Sequence, residues 1–141
     1  MPKVRNVFVA RLAKTQPLFD RYFVTERYFW THKDRVPPIG FVPETEDELE
    51  AAGLSETARD YTEDWHTGRI KSLMAEPPES WEPIKLNDDG SIMNGFHRTC
   101  AAYLLGHETI RACFQHPGPM NHIEKWLCGL SEIAPSFPVS V

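Results

Sequence analysis

Cysteine is scarce in this chain of 141 residues, which has three, at positions 100, 113 and 128. They are widely spaced and form no CxxC pair. An odd, scattered set of this kind does not make a disulfide framework and is typical of a protein in a reducing compartment. The sequence therefore predicts a cytoplasmic protein.

Long apolar runs and an excess of basic charge are also missing. No apolar run approaches the ~20 residues that a membrane-spanning helix needs, and the start "MPKVRNVFVARLAK" lacks the apolar region and cleavage site of a signal peptide. The formal net charge is −5, with 15 Lys and Arg against 20 Asp and Glu. General nucleic-acid binding needs a basic face that displaces counterions. Neither a membrane nor nucleic acid is therefore an expected partner, and any anion site has to be small.

What is present is the composition of a globular α+β protein, 41% hydrophobic and 25% charged. The length predicts a single domain over 1–141. Within it, we expect a first strand and an irregular, aromatic-rich extension in 1–60, a core in 61–131 and a tail in 132–141. Short helices are also expected at 46–52 and from Ser55 onwards.

Periodicity and turn residues predict the elements of the core. They are a strand within 4–12, a helix in "DWHTGRIKSLMAE" stopped by Pro77 and Pro78, strands "EPIKLN" and "SIMN" around the turn "DDG", a helix "FHRTCAAYLLG" closed by Gly106, a strand "ETIRACFQ" and a helix "MNHIEKWLCGL".

A glycine and a His-Arg pair mark the stretch "SIMNGFHRTCAAYLLG", where a strand gives way to a helix. A helix N-terminus carries about half a positive charge and favours anions. Gly95 allows close approach of a ligand to the backbone, Arg98 offers a planar fork for phosphate oxygens, and His97 adds ring donors. Thr99 can contribute a hydroxyl. Because cations are unfavourable at a helix start unless an anion binds there, the pattern predicts an anion site, with coincidental packing as the alternative.

The stretch "KLNDDGSIMNGFHRTCAAYLLGHETIRACF" resembles the core of the ParB/sulfiredoxin superfamily, in which strand, turn, Gly-x-His-Arg, helix and strand follow one another. Upstream, "GRIKSLMAE" followed by prolines and "PIKL" extends the likeness, and downstream "HETIRACFQ" and "IEKWLCGLS" do so, to about half of the chain. "VFVARL" is a candidate for the family's first strand. The resemblance implies a small mixed sheet flanked by helices.

The resemblance also implies an ATP-type phosphate site. The motif glycine falls on Gly95, and the phosphate-binding histidine and arginine fall on His97 and Arg98. The family's basic helix residue near the nucleotide falls on Arg69, and its serine one turn later falls on Ser72. At i and i+3 these two share a helix face. Mg²⁺ would accompany the nucleotide.

Two positions depart from the family. The catalytic cysteine of sulfiredoxins lies between the glycine and the histidine, where this chain has Phe96, so reduction of sulfinic acids by that thiol is not expected. Cys100, one helical turn further on among small residues, is expected to be a buried apolar side chain rather than a nucleophile. Asn94 stands where the free serine kinases of the superfamily have an acid, which weakens a kinase assignment.

Two acidic pairs have a catalytic and a structural interpretation. Glu63 and Asp64 precede the Arg69 face, so either is a candidate general base or magnesium ligand. Both are also explained as acids that stabilise a helix N-terminus, the interpretation we favour. Asp88 and Asp89 are most simply turn residues.

The six histidines include His107, His116 and His122, but none has HxxxH or Cys/His spacing, so no protein metal site is predicted. The aromatic stretch "FDRYFVTERYFW" is expected to be mostly core, with one or two rings available to line a cleft.

The expected function is that of a nucleotide-dependent enzyme. It would bind ATP or a related nucleotide at Gly95, His97, Arg98, Thr99, Arg69 and Ser72. Positioning by Arg98 and His97, with an acid from Glu63 or Asp64, would then hydrolyse the nucleotide or transfer phosphate to a small-molecule or protein acceptor. The alternative is a non-catalytic ParB-like module that binds a nucleotide or a partner. A DNA-binding protein or nuclease is the least expected, given the charge.

Overall fold

A computed structural model of the chain describes residues 3–19, 24–39, 63–115 and 118–135. The chain divides into two compact units, the first formed by Met1–Leu18 with Trp81–Val141 and the second by Phe19–Ser80. The described residues form a mixed α+β structure, which confirms the predicted class. The helices expected at 46–52 and from Ser55 lie outside the described residues. That the chain is a single domain stays a prediction.

The first unit contains a four-stranded mixed sheet. Its strands are β1 (Val4–Phe8), β2 (Ile84–Leu86), β3 (Ile92–Asn94) and β4 (Thr109–Phe114). The strand order is β1-β4-β2-β3. β4 is antiparallel to β1 and parallel to β2, and β2 and β3 form an antiparallel hairpin. All four strands lie within segments where the sequence predicted them.

The predicted strand within 4–12 is shorter than expected, because Val9 begins helix α1 (Val9–Thr15). Val9 and Leu12 are both buried, at the i, i+3 spacing of a helix face. The β-branched and aromatic residues of "VFVARL" favour a strand by composition, but burial follows the helical period from Val9 onwards.

Side-chain alternation places the core of this unit on one face of the sheet. Ile110, Ala112 and Phe114 of β4 are buried, and Ile84 and Leu86 flank the exposed Lys85 of β2. Apolar residues of the next two helices add to the core. In α4 (Phe96–Leu105) and α5 (His122–Leu127) they are Cys100, Ala101, Ala102, Trp126 and Leu127. The predictions that Cys100 and Trp126 are core residues are confirmed.

The second unit contains α2 (Glu26–His32), α3 (Glu63–Met74) and a 3₁₀ turn at Pro78–Ser80. α3 was predicted and ends before the two prolines. α2 was not predicted, because its aromatic and charged residues follow no steady period. Thr25 caps it by accepting a hydrogen bond from the Tyr28 N–H at 3.1 Å.

The aromatic stretch is described only in part, since Tyr22 and Phe23 lie outside the described residues. Phe29 is fully buried, whereas Trp30 is 48% exposed. Among the described helices, none is both long enough and apolar enough to cross a membrane.

Candidate functional site

Gly95 shapes the N-terminus of α4. Its φ of +112° and ψ of 25° lie in the left-handed region. A Cβ at this position would lie 2.8 Å from Cβ of Ile84 and 3.2 Å from its Cα. Glycine is therefore required at position 95 for two reasons, the left-handed backbone conformation and the close packing of the turn on β2.

The first turn of α4 is electropositive. Its N-cap, Gly95, offers no side-chain acceptor, and the turn contains no acidic residue. Instead it carries His97 and Arg98, both half-buried. The N-terminal end of the helix dipole has the same sign. Such a helix start suits an anion on general electrostatic grounds, and anion binding there stays a prediction.

The guanidinium of Arg98 donates hydrogen bonds to three neutral oxygens. Its Nη1 donates to the carbonyl of Glu82 and, at 3.2 Å, to that of Pro83, while Nη2 donates to Oδ1 of Asn94 at 3.2 Å. The guanidinium thus ties the first turn of α4 to the segment before β2 and to the end of β3. An anion that bound here would compete with these acceptors for the fork.

Thr99 and Cys100 face the interior. Thr99 is fully buried, and its hydroxyl donates to the carbonyl of Gly95 at 2.9 Å, as does its backbone N–H at 2.9 Å. The Cys100 thiol is fully buried and lies 3.0 Å from the carbonyl oxygen of Leu18. In this structure the Thr99 hydroxyl therefore braces the glycine turn, and its predicted contact with a nucleotide stays a prediction.

Arg69 and Ser72 lie on α3 in the second unit, one turn apart and both half-buried. Nη1 of Arg69 donates to the carbonyl of Ile39 at 3.3 Å. Burial lowers the pKa of Arg69, opposed by the charge of Glu76. The structure thus gathers Gly95, His97, Arg98 and Thr99 in the first unit and places Arg69 and Ser72 in the second. Their grouping into one phosphate site stays a prediction.

Glu63 and Asp64 occupy the first turn of α3 and are exposed. That position suits the structural interpretation of both acids as helix-stabilising residues. Oδ1 of Asp64 also accepts a hydrogen bond from the Tyr28 hydroxyl at 2.6 Å, and this bond raises the pKa of Tyr28. A role of either acid as general base stays a prediction.

Sequence reasoning missed two parts of this geometry. Arg98 binds the backbone carbonyls of Glu82 and Pro83. Because every residue has such a carbonyl, the sequence does not indicate which ones accept the hydrogen bonds. Tyr28 was seen only as one aromatic among several, although its hydroxyl engages the candidate acid Asp64. By contrast, the turn role of Asp89 was predicted correctly, since its Oδ1 accepts from the Ser91 N–H at 2.9 Å and hydroxyl at 2.6 Å.

No group of three or more His, Cys, Asp or Glu side chains within residues 3–19, 24–39, 63–115 and 118–135 is arranged to hold a metal ion. His107 instead meets the ring of Trp81 edge-on, with centroids 6.3 Å apart. His122 is exposed at the start of α5, and His116 lies outside the described residues.

Comparison with known proteins adds no relative. The chain matches no family model, and neither the curated proteins nor the solved structures include a match to it.

Proposed function

We propose that this chain binds the phosphate groups of an ATP-type nucleotide at the N-terminus of α4 and hydrolyses the nucleotide or transfers phosphate to an acceptor. The observation that carries the proposal is the positive-φ glycine N-cap, which leads His97 and Arg98 into a helix start without any acid. Phosphate is the anion that a helix N-terminus and a planar guanidinium together suit best.

The fold we propose is that of the ParB/sulfiredoxin superfamily. Support comes from the order of elements around the motif: the hairpin of β2 and β3, then Gly95, then α4, then β4 returning parallel to β2. This is the strand, turn, helix, strand order of the superfamily motif. Phe96 replaces the thiol of sulfiredoxins, so the proposal does not include sulfinic acid reduction.

The residues have distinct roles in the proposed activity. His97 and Arg98 bind phosphate oxygens, and the positive end of the helix dipole offsets the negative charge of the phosphate. The family resemblance implies Arg69 and Ser72 of α3 as further phosphate-binding residues, and Asp64 or Glu63 is the candidate acid that would orient the acceptor. Mg²⁺ bound to the nucleotide would offset phosphate charge. The exposed carboxylates of Glu63 and Asp64 would be its candidate protein ligands, since Mg²⁺ prefers carboxylate oxygens.

A non-catalytic nucleotide-binding module is the second candidate, and one observation favours it. Two groups that turnover would use are already engaged in this structure, Arg98 with three neutral oxygens and Asp64 with the Tyr28 hydroxyl. Such bonds suit a site that binds and holds its ligand without turnover.

Calorimetric titration with ATP and with ADP, each with and without Mg²⁺, tests the binding site. We expect Arg98→Ala to weaken nucleotide binding about tenfold or more, because a charge-assisted bidentate contact is lost. Lys125→Ala is the matched control, since it removes the same charge from an exposed position on α5 and should leave affinity unchanged. Full nucleotide affinity in Arg98→Ala would contradict the proposed site.

A phosphate-release assay then separates the two candidates. Release that depends on Arg98 and falls in Asp64→Asn or Glu63→Gln supports the enzyme. Stoichiometric binding without release supports the module.

A further inference from the structure

Three consecutive backbone carbonyls, those of residues 81–83, accept hydrogen bonds from two arginines. Arg111 of β4 donates through Nη2 to the carbonyl of Trp81, and Arg98 of α4 donates through Nη1 to those of Glu82 and Pro83. Pro83 itself has no N–H to donate to a sheet ladder. The segment that leads into β2 is therefore held by side-chain guanidinium groups from two other elements of the same unit.

The two arginines lie in different parts of the first unit. Arg98 lies in the electropositive first turn of α4 and also donates to Oδ1 of Asn94 at 3.2 Å. Arg111 lies mid-strand, one residue before Ala112, which pairs with Ile84 of β2. Only Arg98 belongs to the proposed phosphate site. A ligand there acts on the hydrogen bonds from Arg98 to Glu82 and Pro83 and leaves the bond from Arg111 to Trp81 in place.

Competition between acceptors decides the consequence. Carbonyl and amide oxygens are neutral, whereas phosphate is anionic and offers two oxygens to the planar fork, which makes it the stronger acceptor. An Arg98 guanidinium that turns to phosphate gives up the carbonyls of Glu82 and Pro83. A ligand shifts a conformational equilibrium only through contacts that differ between the two conformations. The exchange of the two carbonyls for phosphate is such a difference, so it couples phosphate binding to the position of residues 81–83.

We propose that Arg98 and residues 81–83 form a ligand-operated latch, which is closed in this structure and opens when phosphate draws the guanidinium away. The latch rests on the proposed function, since it regulates the same phosphate site. Linkage requires the reverse effect as well: weakening the closed latch must strengthen anion binding. Asn94→Ala removes one of the three acceptors of Arg98 and is expected to raise nucleotide affinity a few-fold.

The ring of Trp81 reports the state of the latch. It is 5% exposed and meets His107, so a movement of residues 81–83 changes its surroundings. The chain has four tryptophans, and ¹⁹F NMR of protein labelled with 5-fluorotryptophan resolves them individually, with Trp81→Phe assigning the signal. We expect Arg98→Ala and Arg98→Lys to shift the Trp81 signal without ligand. Lysine keeps the charge but is a point donor that cannot span both carbonyls and Asn94.

Addition of ATP or of pyrophosphate should move the wild-type Trp81 signal towards its position in Arg98→Ala and leave that variant's signal in place. Arg111→Ala is the matched control: it should shift the Trp81 signal but, unlike Arg98→Ala, should not weaken nucleotide binding, because the phosphate site keeps its arginine. Nucleotide binding with an unmoved Trp81 signal, or weaker binding in Asn94→Ala, overturns the latch and leaves the proposed function standing. Absence of any ATP or pyrophosphate binding overturns both.

Discussion

Gly95 is the residue on which the shape of the α4 N-terminus depends. In Gly95→Ala the new Cβ has to occupy a left-handed backbone conformation, which costs about 1–2 kcal/mol. It would also lie 2.8 Å from Cβ of Ile84, too close for packing without a shift of the turn. We therefore expect a loss of more than about 2 kcal/mol in the free energy of unfolding, measured by urea denaturation.

Gly106 provides the control for that measurement. Its φ of +75° is also left-handed, but a Cβ there would meet no atom within 4 Å. Gly106→Ala should cost about 1 kcal/mol, the conformational part alone. Similar losses in the two variants would contradict the importance of the contact between Gly95 and Ile84.

At the residue scale, the sequence predicts positions where one side chain sets local geometry. Gly106 and Asp89 were predicted from the conformations that glycine and aspartate favour in caps and turns, and the structure confirms them. Gly95 was predicted for close approach of a ligand, which stays a prediction, and its left-handed N-cap conformation is a finding of the structure. The acceptors of Arg98 were not predictable. Two of them are carbonyls of the chain, which every residue carries, so nothing in the sequence distinguishes the carbonyls of Glu82 and Pro83 from any others.

Elements with a steady period were predicted, and those without one were missed. α3, α4 and the β2–β3 hairpin follow patterns bounded by Pro or Gly. α4 and the hairpin appear within their predicted segments, and α3 begins at Glu63, one residue before its predicted segment. The change from β1 to α1 at Val9 falls inside one apolar run, where composition alone does not show the switch of period. α2 depends on a Thr25 cap and on one fully buried ring, Phe29, in an otherwise exposed or half-buried helix.

The hydrogen bond between Tyr28 of α2 and Asp64 of α3 gives a pH-dependent prediction. The bond, burial and the negative charges of Asp64 and Glu63 raise the pKa of Tyr28. Since the pKa is raised on folding, the stabilisation is fully present below the unfolded value of about 10 and is lost as the pH rises through the folded pKa. We expect Asp64→Ala to lower the pKa of Tyr28 towards its ordinary value.

Ultraviolet absorbance of tyrosinate during an alkaline titration measures this change. The chain has four tyrosines, so Tyr28→Phe identifies which step belongs to Tyr28. In wild type the Tyr28 step should lie above the ordinary pKa of tyrosine, and in Asp64→Ala it should occur at lower pH. A Tyr28 titration that is indifferent to Asp64→Ala would show that the two side chains do not share a proton in solution.

At the scale of the whole molecule, charge and fold class were predictable, but the composition of the site was not. A net charge of −5 restricts an anion site to a few local cations. The first turn of α4 contains Arg98 and no acidic residue, and anion binding there stays a prediction. The mixed α+β class follows from alternating periods of two and 3.6. The grouping of Arg69 and Ser72 with the α4 residues is implied only by the family resemblance and stays a prediction, because the sequence pattern of one helix does not encode which residues elsewhere in the chain lie near its polar face.

Arg11 connects the beginning of the chain to its end within the first unit. From α1 its Nη1 donates to the carbonyls of Trp126, at 2.5 Å, and Ser131, at 3.1 Å, and its Nη2 pairs with Glu132 at 2.9 Å. The guanidinium also lies over the rings of Phe8 and Trp126, 5.1 and 5.4 Å from their centroids. The acceptors are 115 to 121 residues away along the chain, so these bonds close the unit on itself.

We expect Arg11→Ala to lower the free energy of unfolding by about 2–4 kcal/mol, because two carbonyls lose a charged donor and two rings lose a cation. Arg11→Lys should recover only part of this loss, since a point donor cannot bridge the same oxygens. Glu132→Ala removes the ion pair alone, and because that carboxylate is 82% exposed it should cost less than about 1 kcal/mol. Urea denaturation measures the free energy of unfolding of the three variants and so shows which contribution is the largest. Equal losses in Arg11→Ala and Glu132→Ala would mean that the surface ion pair, and not the bonds to the backbone, holds the C-terminal segment against α1.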